Sequence, residues 1–370
     1  MPTPTQQHDL DSAPVAPLRV AVVGAGMAGI TCARTLMQAG HSVSVFEKSR
    51  QAGGRMATRQ TNFGTFDHGA QYFTVRDERF ALALQTAAQG ICKPWSANTV
   101  QLLDEFGRVA AIVRPGALPH WVPVPGMNAL LQHWAAPLRL PPAPVPLHSL
   151  ELNTRVVRIE RDALKAHSWQ LRTQGVDDSQ QVFGGFDAVL LALPHVQAQE
   201  LLASSAVSPA LAAQIAPVKV APCWTLMLAF PQALQANLYH LGPQWNAARS
   251  THHRIAWVAR ESSKPGRDPV ERWTVQASAA WSQEHLEDDN QRVQAKLLKA
   301  FAEVTGIRAE PSHAALHRWR YAQTLQALGQ SHLWDSSNRI GACGDWCLGR
   351  RVEDAFVSGL ELALVVAACP

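Results

Sequence analysis

Residues 18–48, LRVAVVGAGMAGITCARTLMQAGHSVSVFEK, decide the fold. An apolar run enters Gly24-Ala-Gly-Met-Ala-Gly29, a helix follows, and a second apolar strand ends at Glu47. Gly24 permits the tight turn, Gly26 lets the backbone approach a pyrophosphate, and Gly29 lets helix and strand pack closely. The helix N-terminus carries unpaired N–H groups toward those phosphates. Glu47, 18 positions beyond Gly29, ends the second strand where a ribose hydroxyl needs an acceptor, with Lys48 beside it. Strand, turn, helix, strand and terminal acid together predict a Rossmann-like dinucleotide-binding unit.

A second motif, Gly341-Ala-Cys-Gly-Asp345 followed by Arg351-Val-Glu-Asp-Ala-Phe-Val-Ser-Gly359, lies near the other end of the chain. It predicts a strand over 339–343 and a helix over 352–368 that return to the same unit. No second GxGxxG occurs, whereas a reductase holding NAD(P)H in its own Rossmann domain normally shows one. The bound dinucleotide therefore reads as FAD. Asp345 suits a carboxylate accepting from ribityl or ribose hydroxyls; a helix N-cap is its other reading. The helix from Val352 would direct its positive end at the flavin N1 and O2 edge and favour the anionic reduced flavin.

With 370 residues the chain exceeds a single core, so two intertwined domains are expected. Apolar residues at 47% exclude a largely disordered protein, and 33 basic against 29 acidic residues, without blocks of like charge, give no nucleic-acid or membrane footprint. The expected partner is a small molecule. Residues 1–17, rich in Pro, Gln and Thr, read as a disordered arm and not a secretion signal. The apolar stretch 355–369 falls short of the ~18 to 20 residues that span a bilayer and contains Glu361. Six cysteines without CxxC pairs argue against a disulfide framework and a zinc site, and for a reduced, cytoplasmic setting. Cys343 and Cys347 flank Asp345 either as a redox pair or as buried thiols lining a cofactor cleft.

Between the two motifs, Gln51-Ala-Gly-Gly-Arg55 is a glycine-rich loop in which Gly54 and Arg55 can wrap a second face of the dinucleotide, Arg55 pairing with a phosphate. Residues 77–89 carry Phe80, Leu82 and Leu84 at helical spacing, a second helix opens at Gly126, and the Pro-rich span 137–146 reads as a connector. Val156, Val157 and Ile159 with Trp169 and Leu171 suggest a hairpin, and 186–193 a buried parallel strand. Stretches at 224–230, 255–258 and 273–277 alternate with a helix over 289–304 and suggest an antiparallel sheet. The expected fold is α/β with two domains: a discontinuous FAD-binding domain from 18–76, 147–195 and 331–370, and a substrate domain from 77–146 and 196–330.

Longer motifs narrow this further: Phe66-Asp-His-Gly-Ala-Gln-Tyr-Phe-Thr74, Trp121 with Pro125-Gly-Met-Asn128, Pro222-Cys-Trp224, Ser262-Ser-Lys-Pro-Gly-Arg267, His317-Arg-Trp-Arg-Tyr-Ala322, and Gly344-Asp-Trp-Cys-Leu348 with Arg351-Val-Glu353. From Leu18 onward the chain resembles the bacterial renalases, within the amine-oxidase-like FAD oxidoreductases of the amine oxidase/p-hydroxybenzoate hydroxylase fold. The resemblance implies a non-covalent FAD enzyme. It would oxidise dihydronicotinamides reduced at ring position 2 or 6, by hydride transfer to flavin N5, returning NAD(P)+ and passing the electrons to O2 to give hydrogen peroxide. It further implies FAD contacts at Met27, Glu47, Arg55, Gln71, Tyr72, Val156, Asp345 and Val352. Substrate contacts are implied at Tyr72, Phe73, Thr74, Val75, Arg76, Cys223 and Arg351. Three positions depart from the relatives: Glu261 stands where many have Asn, Arg350 where a small residue is frequent, and Asp354 where Gly is common.

Several of these residues keep two readings. Arg351 holds a substrate phosphate or carboxamide, or is a surface charge. Lys264 and Arg267 attract a nucleotide phosphate, or sit in a solvated turn. His68 reads as an interior histidine. Most of the twelve tryptophans belong to the core, with one or two of Trp224, Trp257, Trp281 and Trp319 open to stacking on a nicotinamide ring. Hydride donation leaves an aromatic pyridinium without loss of a proton, so this chemistry demands no acid/base dyad. An amine oxidase and a non-catalytic flavin-binding redox module are the alternatives; the tyrosines, Tyr72, Tyr239 and Tyr321, form no evident pair at the last helix.

Overall fold

The structure, a computed structural model, describes residues 16–95, 100–113, 118–139, 147–234, 243 and 245–369. Most of the expected arm at 1–17, the connector beyond residue 139 and Tyr239 lie outside the described residues.

Arg19–Val23 is buried from Val20 onward, as a strand covered on both faces must be. It pairs in parallel with Ser42–Phe46 on one side and with Ala188–Leu191 on the other. Ser149–Glu151 extends the sheet at one edge, and Ile340–Ala342 with the antiparallel Leu333–Asp335 at the other, making six strands. The helix Met27–Gln38 crosses between the first two strands with Ile30, Ala33 and Leu36 buried. Against it lies the helix Val352–Ala367, so close that a Cβ on Gly359 would stand 2.2 Å from the Ala28 carbonyl oxygen.

The expected hairpin is a three-stranded antiparallel sheet, Thr154–Arg161, Trp169–Gly175 and Gln180–Phe186. The third strand, QQVFGGF, escapes pattern recognition because two glycines and a polar start hide its alternation. A larger sheet of seven strands is built on Lys219–Phe230 and His313–Gln326. It is antiparallel except where Ala247–Ser250 runs parallel to Val100–Leu103. The helix Asn290–Thr305 covers one face, capped by Asp289, which accepts from the Gln291 and Arg292 N–H groups. Its Phe301 stacks on Phe230 at 6.1 Å.

The helix Glu78–Ala87 buries Phe80, worth about 1.5–3 kcal/mol by transfer. Leu82 is 58% exposed, because positions two apart on a helix face opposite sides. Phe80 and Trp134, the latter from Ala129–Ala135, both pack on Phe356 of the closing helix. The helices of segment 77–146 thus share apolar contacts with the nucleotide-binding sheet, while its strands Val100–Leu103 and Val109–Val113 join the seven-stranded sheet. Among the described residues no helix is long and apolar enough to cross a membrane.

Candidate active site

A cavity of about 2460 Å³ is lined by residues of both large sheets. That exceeds the ~300–1,000 Å³ of a site for one drug-sized ligand, and suits a dinucleotide with a second ligand beside it. Gly24, Gly26, Met27, Glu47, Lys48, Gly54, Arg55, Gln71, Tyr72, Phe73, Thr74, Arg76, Val156, Cys223, Asp345, Arg351 and Val352 all line it. Two of the expected site residues do not. Gly29 serves packing alone, since a Cβ there would meet the Gly24 carbonyl oxygen at 1.9 Å, and Val75 packs into the apolar core.

The front of the cavity is a glycine wall. Gly24 has φ +108° and sits under the Ala192 carbonyl; the Gly53 N–H donates to Ala25 O at 3.0 Å, and Gly54 touches Gly26. Gly26, by contrast, faces open space: a Cβ there would find only the Gly54 Cα, at 3.9 Å. No side chain caps the helix that starts behind it, so its first N–H groups are left for an anion. Glu47, 8% exposed, accepts from the Ala25 N–H at 2.9 Å and the Ser49 N–H at 2.8 Å, so it braces the turn as well as facing the cavity. This wall fits a pyrophosphate-bearing dinucleotide.

Arg55 and Asp345 were expected to meet a phosphate and a hydroxyl separately. The structure pairs them: both guanidinium nitrogens of Arg55 donate to the Asp345 carboxylate, which also accepts from the Thr324 hydroxyl at 3.3 Å. Asp345 is the first residue of a short helix capped by Gly344, not itself the N-cap. Cys343 and Cys347 are buried in the apolar clusters and do not line the cavity. Burial pushes Cys347 up to about 12, as it does Cys32.

Arg351, at the N-terminus of the closing helix, is bound by its own neighbours. Its guanidinium donates to Asp354 at 2.7 Å and stands 3.3 Å from Glu353, while Asp354 accepts the Arg350 and Arg351 N–H groups. Asp354 therefore acts as a cap for this helix. Glu353, buried, accepts the Arg76 and Asp77 N–H groups at 2.5 and 2.7 Å and ties the segment at 72–76 to the helix. Glu353 stood in the Arg351-Val-Glu353 motif, but nothing in the sequence pointed to its backbone partners at Arg76 and Asp77.

Lys264 and Arg267 do not form a solvated turn. Both side chains are wholly buried with Asp67 and Glu261, and the cluster balances two cations against two carboxylates. Lys264 Nζ reaches Asp67 at 3.1 Å, Glu261 at 3.0 Å and the Gln71 Oε1 at 3.3 Å; Arg267 reaches Asp67 at 2.8 Å. Burial pushes Asp67 up, but the Lys264 and Arg267 charges and the Met127 N–H outweigh it and hold its carboxyl well below the usual range. Burial raises Glu261 despite Lys264, with Asp67 adding to the rise. Gln71 also donates to the Asp67 and Gly69 carbonyls, so the ion cluster fixes the loop that leads into Tyr72.

On the substrate side, the Tyr72 ring lies 4.0 Å from that of His120 and 5.8 Å from that of Trp257. Of the four tryptophans considered, Trp257 and Trp319 line the cavity, while Trp224 and Trp281 belong to the core. His68 and His317 face each other at 4.7 Å beside Trp319. Burial, then the neighbouring His317 and Arg59 charges, lowers His68 to about 3; burial and Arg59 lower His317 to about 4. Both imidazoles are neutral near pH 7. Burial raises the Cys223 thiol to about 11, which excludes a standing thiolate.

A family model described as flavin containing amine oxidoreductase matches residues 96–367, and one described as an NAD(P)-binding Rossmann-like domain matches residues 22–84. Over 60 residues the chain is 43% identical to a 4,4'-diapophytoene desaturase (4,4'-diaponeurosporene-forming) of Staphylococcus haemolyticus, covering 16% of this chain and 12% of that protein. Over 42 residues it is 55% identical to an L-amino acid oxidase of Bothrops pictus, covering 11% and 8%. The matches thus span a small part of these curated relatives' own length. A solved structure from Exiguobacterium sp. 255-15, assigned as a protoporphyrinogen oxidase, superposes with a TM-score of 0.71 over 95% of this chain and 99% of that one, at 12% identity. The likeness is one of fold, a Rossmann-like domain with the amine oxidase architecture, as the sequence predicted.

Proposed function

The chain belongs to the flavin-containing amine oxidoreductase family, and from that premise we propose an FAD-dependent oxidase of the renalase type, acting on 2- or 6-dihydro isomers of NAD(P)H and returning NAD(P)+. FAD would be held without a covalent bond. The N–H groups behind Gly26 would take its pyrophosphate, Glu47 a ribose hydroxyl, and Val156, Asp345 and Val352 the rest of its length. Bound there, FAD supplies a two-electron acceptor at N5 that is reoxidised by O2 to give hydrogen peroxide.

The observation that carries this reading over an amine oxidase is the charge of the cavity wall. Its acidic lining is confined to Glu47, Glu200 and Asp345, of which Glu47 and Asp345 are engaged, whereas Arg59, Arg76 and Arg249 line it without a carboxylate partner among the described residues. Such a wall attracts phosphates and repels an ammonium group. The chain's own groups orient the substrate and exclude water; the low values of His68 and His317 make both imidazoles weak bases, Cys223 is a thiol, and a dihydropyridine needs no base.

An anaerobic titration at the flavin absorbance band tests this. Rapid bleaching by the 2- or 6-dihydro isomer, with hydrogen peroxide on readmitting air, is expected. Preferential bleaching by ordinary 4-dihydro NAD(P)H, or by simple amines, would overturn it.

A further inference from the structure

We infer that Arg249, with Tyr72, His120 and Trp257, forms a nucleotide subsite for the substrate, in which the guanidinium binds a phosphate and the rings stack on a base or nicotinamide. This rests on the reading of the substrate as a nicotinamide nucleotide, and adds Arg249 and His120, which no motif marked, to Tyr72 and Trp257.

Arg249 lies on Ala247–Ser250 directly opposite Trp257 on the antiparallel strand Ile255–Arg260. Facing residues of such a pair project from the same side of the sheet. Both line the cavity, together with Tyr72 and His120. The Arg249 charge reaches His120: burial first, and then Arg249, lower the imidazole and leave it neutral. The aromatic shelf is therefore uncharged, and its cation stands beside it.

Arg249 is set apart by its place opposite Trp257 at the aromatic shelf, and like Arg76 it has no protein partner among the described residues. Arg318 and Arg320 line the same cavity but share Glu287, and Arg351 is held by Asp354 and Glu353. Arg249 makes no ion pair or hydrogen bond through its guanidinium among the described residues, and it is exposed. A planar fork of donors matches a phosphate, and flat π-faces match a heterocycle. Both together, on one face of one strand pair, describe a ligand carrying both groups. The Trp257 indole N–H, buried and without a hydrogen-bond partner, supplies a further donor at this shelf.

The test is binding of NAD+ and of phosphate-free 1-methylnicotinamide to the oxidised holoenzyme, read by calorimetry and by the shift of the flavin absorbance. Arg249→Met is expected to bind NAD+ roughly 10- to 100-fold more weakly, the loss of a charged hydrogen-bonded pair, with 1-methylnicotinamide unchanged and Arg249→Lys recovering part of the loss. Equal NAD+ affinity in wild type and Arg249→Met would overturn the subsite and leave the substrate reading standing. Failure of wild type itself to bind NAD+ would overturn both.

Discussion

Arg55 sets two guanidinium nitrogens on the carboxylate of Asp345, 290 residues further along the chain, so the front and rear motifs are joined by a single ion pair in the wall of the cavity. Asp345 is nearly buried and Arg55 is 31% exposed. Arg55→Met leaves that carboxylate short of its charged donors. The expected loss is about 1–3 kcal/mol, toward the lower end because solvent screens the exposed partner. Urea unfolding of the apo-protein checks the stability, and flavin content after gel filtration is expected to fall with it. Unchanged stability would show that the two motifs dock without this pair.

Gly26 and Gly29 stand three residues apart and predict opposite outcomes. A Cβ at Gly29 collides with the Gly24 carbonyl oxygen at 1.9 Å, so Gly29→Ala should cost at least about 1–3 kcal/mol and lower the melting temperature. At Gly26 the nearest atom is 3.9 Å away and φ is −80°, so Gly26→Ala should fold with stability within ~1 kcal/mol of wild type. Its methyl occupies the surface offered to a pyrophosphate, so it should retain little flavin. Full flavin retention in Gly26→Ala would refute the placement of the phosphates.

Asp67 predicts acid sensitivity. Its folded carboxyl lies well below the ordinary value, so it binds fewer protons folded than unfolded. The stability it contributes is present above an unfolded pKa of about 3.9 and is lost as pH falls below that toward the folded value. Asp67→Asn, which leaves Lys264 and Arg267 short of a counter-charge, should cost about 3–5 kcal/mol near neutral pH and show a shallower decline below pH ~4. Denaturation midpoints across a pH series measure both.

His68 and His317 act in a separate, higher window. Each has its folded value below the unfolded ~6.5, so the native state takes up protons later and stability falls as pH drops through 6.5 toward about 4 for His317 and about 3 for His68. For buried His68 the slope reaches at most about 1.4 kcal/mol per pH unit. Histidine resonances followed by NMR between pH 5.5 and 8 should show no titration of these two rings. A midpoint near pH 6.5 for either would contradict their burial beside Arg59.

The dinucleotide turn was legible because its chemistry is local. Gly24, Gly26 and Gly29 are dictated by backbone conformation and close approach within one strand-turn-helix unit, and the apolar strands around them report burial on both faces. The helix over 289–304 and Phe80 inside its own helix were readable for the same reason. Side-chain partners were not legible. Lys264 looks like a surface lysine in a Pro-Gly turn, yet it is wholly buried between Asp67 and Glu261 because strands distant in sequence fold over it. Arg351 and Arg249 are both cavity arginines, and nothing in their neighbourhood of sequence says that one is neutralised by Asp354 while the other is left for a ligand. The fold class and the dinucleotide-binding motif were readable from the chain alone, and most of the candidate site residues it named line the cavity. Which charges cancel and which remain emerges only on folding, because Coulomb interactions depend on separations and burial that chain order does not encode.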